Sequence, residues 1–310
     1  MTGEALAAFA AEVGGTGPVA VAGGRTQWEV GGRCDPSARM VRAPGGVVEH
    51  RPAEMTVRVR AGTPVGQLDA ALADAGQMVP LDPVRPLEAT VGGVLAVGRS
   101  GVRRLRYGPV RDCVLEVRYV SAAGELVKAG APVVKNVSGF DLVRLMVGSL
   151  GTLGLVAEVV LRTHPRPAAS AWLTADADGG AVERAAAALF RPSSLLWDGA
   201  RAWALLEGHP SDVDAEAAAL GRAWQECAGP PVLPTGARVS LDPTAVLAWA
   251  AERPSGSFVA ELGVGVVHLV DGGAVPPSPP PAGPVLDLNQ RVKAAFDPEG
   301  RLNPGRTPVP

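Results

Sequence analysis

Three glycine-rich stretches hold the residues most able to do chemistry in this chain. The chemistry they suit is the binding of an anion or a flat ring by backbone groups. The longest stretch runs from Val134 to Arg162 and reads VKNVSGFDLVRLMVGSLGTLGLVAEVVLR. Its polar opening, Lys135 to Gly139, leads into a short amphipathic helix of about two turns. Gly148, Gly151 and Gly154 then recur at a spacing of three before the apolar, strand-like run Leu155 to Leu161. Glycines between a helix and a strand let backbone N–H groups turn toward a ligand without side-chain obstruction, and they equally suit a tight helix-to-strand turn. The second stretch, Gly23-Gly24-Arg25-Thr26-Gln27, directly follows the strand-like Pro18 to Ala22. Such a loop can aim successive N–H groups at a pyrophosphate, with the Thr26 hydroxyl as a further donor, or be an ordinary Gly-Gly turn. The third, Ala89-Thr90-Val91-Gly92-Gly93, follows Leu81-Asp82-Pro83 and precedes small residues to Ala96. It reads either as a loop that a flat ligand can approach closely or as a tight turn at a strand end.

Other chemistries are poorly supplied. Gly263-Val264-Gly265-Val266-Val267-His268 approaches a dinucleotide fingerprint, but its sixth position is histidine and Leu269-Val270 continues a strand, so the strand–turn–helix context fails. No phosphate loop of the G-x-x-x-x-G-K-[ST] type occurs. The four histidines, His50, His164, His209 and His268, stand at no metal-ligand spacing and are read as structural or exposed, so no metal site is expected. The three cysteines, Cys34, Cys113 and Cys227, are scattered and odd in number, which predicts reduced thiols in a cytoplasmic setting. With a net charge of −2 and lysine only at 128, 135 and 293, the chain has no nucleic-acid footprint. Its N-terminus reads as a surface helix, distinct from a signal peptide, and no apolar run of about 18 residues could span a membrane.

The elements that must position these loops follow from periodicity. The chain has 310 residues, 47% of them hydrophobic and 19% charged, enough for two domains with sizeable cores. Met55 to Ala61 alternates as a strand, and Thr63-Pro64 then supplies an N-cap and first-turn proline for a helix carrying Leu68 and Leu72 and ending at Gly76. Cys113 to Ser121 and Glu125 to Lys128 form a hairpin turning at Ala123-Gly124. Past Thr163-His164-Pro165-Arg166-Pro167 the pattern becomes Ala171 to Ala175 strand, Ala181 to Phe190 helix, Ala202 to Glu207 strand and Ser211 to Cys227 helix. In the last of these, Ser211 and Asp214 resemble a capping box. Phe258 to Leu262 and Val264 to Val270 are strand-like. A proline-rich loop, Pro276 to Pro284, leads to a helix from Val285 to Phe296 and a turn-rich tail, FDPEGRLNPGR.

Taken in order, AGGRTQ, AGTPVGQLDAALADAGQMVPLDP, ATVGGVLA, RYGPVRD, VKNVSGFDL and GSLGTLGLVAEVVLR resemble the PCMH-type, or vanillyl-alcohol-oxidase-like, FAD-binding flavoproteins over roughly residues 17–168. DPEGRLNPGR is similar to the family's C-terminal signature. Within the family, the likeness is greatest to the small flavin subunits of bacterial glycolate oxidases and thins after about residue 170. The resemblance implies an α+β fold: a PCMH-type domain of two α+β subdomains over 1–168, a smaller α+β cap domain over 169–284, and a C-terminal helix and tail, 285–310, packing back on the first domain.

The resemblance also implies a non-covalent FAD, since no histidine stands in the Gly23 loop. Ala22, Gly23, Gly24, Arg25, Thr26 and Gln27 would cradle the pyrophosphate. Thr90, Gly92 and Gly93 would line the flavin, and Gly108, Arg111 and Asp112 would form a further flavin-side loop. Asn136, Gly139, Asp141, Gly148, Ser149, Gly151, Gly154 and Val156 would close the site, with Asn303 approaching from the tail. Catalytic relatives carry a G-N-G-N-x-H segment; here its equivalent has valines in place of both asparagines, so no catalytic residue is assigned. The function implied is oxidation of glycolate to glyoxylate within a complex containing a second flavin subunit and an iron–sulfur subunit, cytoplasmic, with any attachment to the inner membrane face made through partners. Two alternatives stand beside it: a stand-alone dehydrogenase of another 2-hydroxy acid, with Arg103, Arg104 and Arg106 holding the carboxylate, and a non-catalytic flavin-binding assembly subunit.

Overall fold

Alternation puts Val57, Val59 and Ala61 on the buried side at the strand Thr56–Arg60, and these residues seed the larger core of the first unit. The computed structural model describes residues 2–131, 141–271 and 283–308. Contacts divide the chain into two units: Met1–Gly101, Pro109–Arg166 and Pro281–Pro310 form one, Val102–Gly108 and Pro167–Pro280 the other. The sequence reading assigned Val102–Gly108 to its first domain. Leu105 instead packs with the core of the second unit, which no local pattern announces.

The first unit is built on a five-stranded antiparallel sheet in the order Val47–Arg51, Thr56–Arg60, Leu155–Arg162, Val114–Val120, Leu126–Gly130. Leu155–Arg162 is central and buried from Leu155 to Leu161, an apolar run broken only by Glu158. Helices Val65–Ala73, Val91–Val97 and Leu142–Met146 contribute Leu68, Leu72, Val94, Leu95 and Met146 to one core. A second cluster forms where Leu6, Phe9 and Val13 of Thr2–Val13 meet Val19, Val41, Val120, Leu155 and Leu302. There, Val19–Val21 pairs in parallel with Arg39–Val41, and Leu302 of the tail adds a parallel bridge to Val19.

Several local expectations change. The helix after Gly62 has Pro64 at its N-cap, while the Thr63 hydroxyl donates to Arg60 O at 2.7 Å and accepts from Gly46 N at 2.8 Å. Val91–Val97 is helical, so Gly92 and Gly93 lie in a first turn capped by Thr90 rather than in a loop. The helix after Asp141 covers only Leu142–Met146, shorter than two turns.

The sheet carries an ion cluster on buried carboxylates. Glu116 and Glu158 are 1% and 0% exposed, and Arg58 Nη1 reaches Oε1 of each at 2.8 and 3.1 Å. Lys128 Nζ stands 3.1 Å from Glu116 Oε2. Burial alone would raise the Glu116 carboxyl; hydrogen bonds and charges from Arg58 and Lys128 outweigh it and hold the pKa below the ordinary carboxylate value. A depressed carboxyl stabilises the fold above its unfolded pKa of about 4.3 and loses that contribution as pH falls through the folded value. The urea midpoint is therefore expected to drop on acidification from about pH 6 to about pH 3, and Glu116→Gln to drop less steeply. Parallel pH profiles for the two proteins would contradict this.

The second unit is a seven-stranded antiparallel sheet ordered Gln225–Cys227, Ala169–Asp176, Arg201–Gly208, Ser194–Trp197, Phe258–Glu261, Val266–Leu269, Ala237–Ser240. Its core collects Leu173, Val182, Leu195, Leu206 and Phe258, with Trp197 and Trp249 edge-on to Phe258 at 5.9 Å each. The expected helix Ser211 to Cys227 stops at Leu220, and Gln225–Cys227 is an edge strand, because Gly221 turns the chain at φ +84. Its cap is not Ser211 with Asp214: His209 Nδ1 accepts from Ser211 N, with Pro210 in the first turn. Among the described residues no helix is long and apolar enough to cross a membrane.

Candidate functional site

The strand Val19–Val21 ends at the Gly23 loop, and the C-terminal tail fixes where it ends. Asn303 N donates to Val19 O at 2.8 Å, Val21 N donates to Asn303 Oδ1 at 2.9 Å, and Asn303 Nδ2 donates to Leu150 O at 2.5 Å. One side chain thus joins the tail, the first strand and the Gly148–Gly151 turn. The Asn303 backbone is left-handed, φ +43, a conformation asparagine tolerates better than most residues.

These segments line an open cleft in the first unit. Ala22, Gly23, Gly24, Arg25, Thr26 and Gln27 form one wall; Thr90, Gly92 and Gly93 another; Gly151, Val156 and Asn303 complete what the sequence pointed to. Among the described residues, nothing accepts a hydrogen bond from the N–H of Gly23, Gly24, Arg25 or Thr26. Arg25 is left-handed at φ +55, so the backbone changes hand along this run of free donors.

The reason for the glycines differs from the one the sequence suggested. A Cβ on Gly24 would lie 1.7 Å from Glu88 O, and one on Gly23 would lie 2.2 Å from Thr90 Oγ1. Their smallness lets one cleft wall lie against the segment that leads into the other. Similarly, a Cβ on Gly154 would meet the Tyr119 ring at 2.4 Å, making it a packing position beneath an aromatic side chain.

Other expected residues stand away from the cleft lining. Gly148 N donates to Leu95 O, and the Ser149 hydroxyl donates to Met146 O at 2.8 Å, so both build the turn behind it. Asp141 caps Leu142–Met146 by accepting from Arg144 N at 3.1 Å. Arg111 and Asp112 sit exposed in a short 3₁₀ turn, and Gly108 belongs to the second unit. Asn136 and Gly139, with Lys135, lie outside the described residues.

The structure adds residues that sequence reasoning missed, chiefly Trp28 and Arg306, with Val30, Ala61, Gly62 and Leu150. The guanidinium carbons of Arg25 and Arg306 lie 5.0 and 4.3 Å from the Trp28 ring centroid. Adjacency was the available signal: Trp28 follows the loop, and Arg306 ends the LNPGR motif that contains Asn303. Among the described residues the lining contains two arginines and no Asp, Glu, His, Cys, Lys or Tyr. Electrostatically it suits an anion, and its described side chains can bind and orient but include no general acid or base of the usual kind.

Two of the three arginines expected to hold a substrate carboxylate, Arg103 and Arg106, have partners within the second unit. Arg103 grips Glu207 from Nε at 3.0 and 3.1 Å and from Nη2 at 2.9 Å, and Arg106 Nη1 donates to Glu207 O. His268 Nε2 meets the buried Glu261 Oε1 at 2.7 Å across adjacent strands.

The chain matches the FAD binding domain family over residues 4–130. It is 33% identical over 308 aligned positions to glycolate oxidase subunit GlcE of Escherichia coli, covering 86% of this chain and 85% of that protein. Glycolate oxidase subunit GlcD of Bacillus subtilis shares 34% identity over 146 residues, 46% of this chain and 31% of that protein. D-2-hydroxyglutarate dehydrogenase of Xanthomonas citri pv. viticola shares 37% over 123 residues, 39% of this chain and 26% of that protein. Among solved structures, an alkyldihydroxyacetonephosphate synthase has the same fold, with a TM-score of 0.66 at 16% identity over 96% of this chain and 73% of that one.

Proposed function

Because this chain belongs to the FAD-binding flavoprotein family that includes the glycolate oxidase subunits, we propose that it is the FAD-binding subunit of a glycolate-oxidising complex, acting beside a second flavin subunit and an iron–sulfur subunit. The observation that carries this reading is the cleft itself: a run of free N–H donors and two arginines, with no carboxylate in its lining among the described residues. The donor set fits a dinucleotide diphosphate, and a buried guanidinium nitrogen without a partner, Arg306 Nη2, adds to the fit. The backbone from Ala22 to Gln27 would hold the diphosphate, while Thr90, Gly92, Gly93, Gly151 and Val156 would bound the remainder of the cofactor. Bound there, FAD supplies the two-electron acceptor for converting a 2-hydroxy acid to a 2-oxo acid. The chain's own part is to orient and desolvate. No histidine stands in the Gly23 loop, which supports non-covalent retention.

A second reading, a flavin-binding assembly subunit whose partner oxidises the substrate, is favoured over a stand-alone dehydrogenase. Among the described residues the cleft lining supplies no general acid or base, and Arg103 and Arg106 are engaged by Glu207. The test is to purify the chain alone and with co-expressed partners, record the flavin spectrum, and add glycolate or D-lactate without oxygen. Flavin in the preparation that bleaches only in the complex is the expected result, and disabling each flavin site in turn then assigns the oxidising subunit. Bleaching by the lone chain would establish the stand-alone enzyme. Absence of flavin from every preparation would end both flavin readings.

A further inference from the structure

We propose that Arg306 anchors a phosphate of the flavin cofactor through Nη2, so that the C-terminal tail supplies part of the diphosphate site. This rests on the FAD reading above and adds a residue to it.

Arg306 is held in a way that leaves one arm of its fork unused. Nη1 donates to Val30 O at 2.6 Å and also to Trp28 O, and the guanidinium lies over the Trp28 ring. Nη2 is buried and has no hydrogen-bond partner. A guanidinium presents its donors in a fixed planar fork, so anchoring Nη1 also fixes the direction of Nη2. A buried, unpaired, charged donor is costly, and folding tolerates it where a bound group will complete it.

Three observations identify that group as an anion. Arg306 lines the cleft, and among the described residues the lining holds no acidic side chain and no carboxylate forms an ion pair with Arg306. A cofactor phosphate is favoured over a substrate carboxylate because the same cleft holds the free N–H groups of Gly23 to Thr26, and because Trp28, which follows that loop, carries Arg25 as well. The Asn303 clamp and the Thr307 N to Gly31 O bond at 2.8 Å bracket Arg306, so the tail presents it from a fixed backbone.

The test titrates FAD into the deflavinated full-length chain by flavin fluorescence, at several salt concentrations, for wild type, Arg306→Gln and Arg306→Lys. Losing a charge-assisted contact is expected to weaken FAD binding about tenfold or more in Arg306→Gln, and to flatten the dependence of affinity on salt. Arg306→Lys, which keeps the charge without the fork, is expected to keep the salt dependence and recover part of the affinity. A merely structural role would lower affinity in Arg306→Gln without changing its salt dependence, and that result would overturn the proposal. So would wild-type affinity in either variant. Parallel titrations with glycolate present separate a carboxylate site: a glycolate-dependent defect with unchanged FAD binding also rejects the phosphate assignment. A wild-type chain that binds no FAD would instead defeat the underlying reading.

Discussion

Gly24→Ala is expected to produce a chain that retains little or no flavin. The added methyl would sit 1.7 Å from Glu88 O and 2.6 Å from Glu88 C. That carbonyl has little freedom to retreat, because its turn is pinned by Ala89 N to Arg85 O at 2.8 Å and by Val65 N to Ala89 O at 2.9 Å. The loop carrying the free N–H groups must move instead, and displacement on the order of 1 Å removes most of the benefit of preorganised donors. Overpacking of this kind costs about 1–3 kcal/mol of stability as well. Gly229→Ala is the matched control, since a Cβ there meets nothing within 4 Å. Flavin absorbance per chain and the unfolding midpoint decide the matter: normal flavin content in Gly24→Ala would show that the close approach of the two walls does not shape the site.

The second large effect is expected at Arg301, which is 4% exposed and spends its fork on the chain's own carbonyls. Nε donates to Gly17 O at 2.9 Å, Nη1 to Gly14 O at 3.1 Å and Ala122 O at 2.8 Å, and Nη2 to Val13 O and Thr16 O, each at 3.0 Å. Val13 ends the first helix, where carbonyls have no helical partner, so Arg301 satisfies that end and fastens it to the 121–124 turn and the tail. Arg301→Met would strand four of these five acceptors, Val13 O keeping Arg39 Nη2 at 3.0 Å, and is expected to cost about 3 kcal/mol or more. Arg301→Lys, with fewer donors and no fork, should fall between it and wild type. Urea unfolding measures the series, and a methionine variant within about 0.5 kcal/mol of wild type would refute the assignment. Loosening the tail also releases Asn303 and Arg306, so flavin retention should fall along the same series.

These two residues mark how differently parts of the molecule could be read in advance. The strand around Val57 and Val59, the hairpin of Val114–Val120 with Leu126–Gly130, and the last helix follow from periodicity and punctuation, because neighbouring residues alone decide which face is apolar. Ala22 to Gln27, Thr90, Gly92, Gly93, Gly151, Val156 and Asn303 were legible as site candidates because glycine loops of this type recur in order through the family. Arg306 and Trp28 were not. Their importance depends on a tail returning to the first strand across more than 270 residues, at the Val21 to Asn303 contact. Serial logic also failed at Gly221, where a positive φ converts an expected long helix into a helix and an edge strand.

By itself, then, the sequence determined that this is an α+β chain of an FAD-binding family, with glycine loops in the family's order. The tertiary structure decided why each glycine is there. Gly23 and Gly24 are small to fit Thr90 and Glu88, Gly154 to fit Tyr119, and Gly151 to fit Asn303 of the tail. It likewise decided that Arg103 and Arg106 are engaged by Glu207, and that Arg306, which lines the cleft, carries a buried unpaired donor. Backbone preference is a local quantity that composition and spacing encode. Close approach and unpaired donors are properties of segments far apart in the chain, and they exist only once those segments meet.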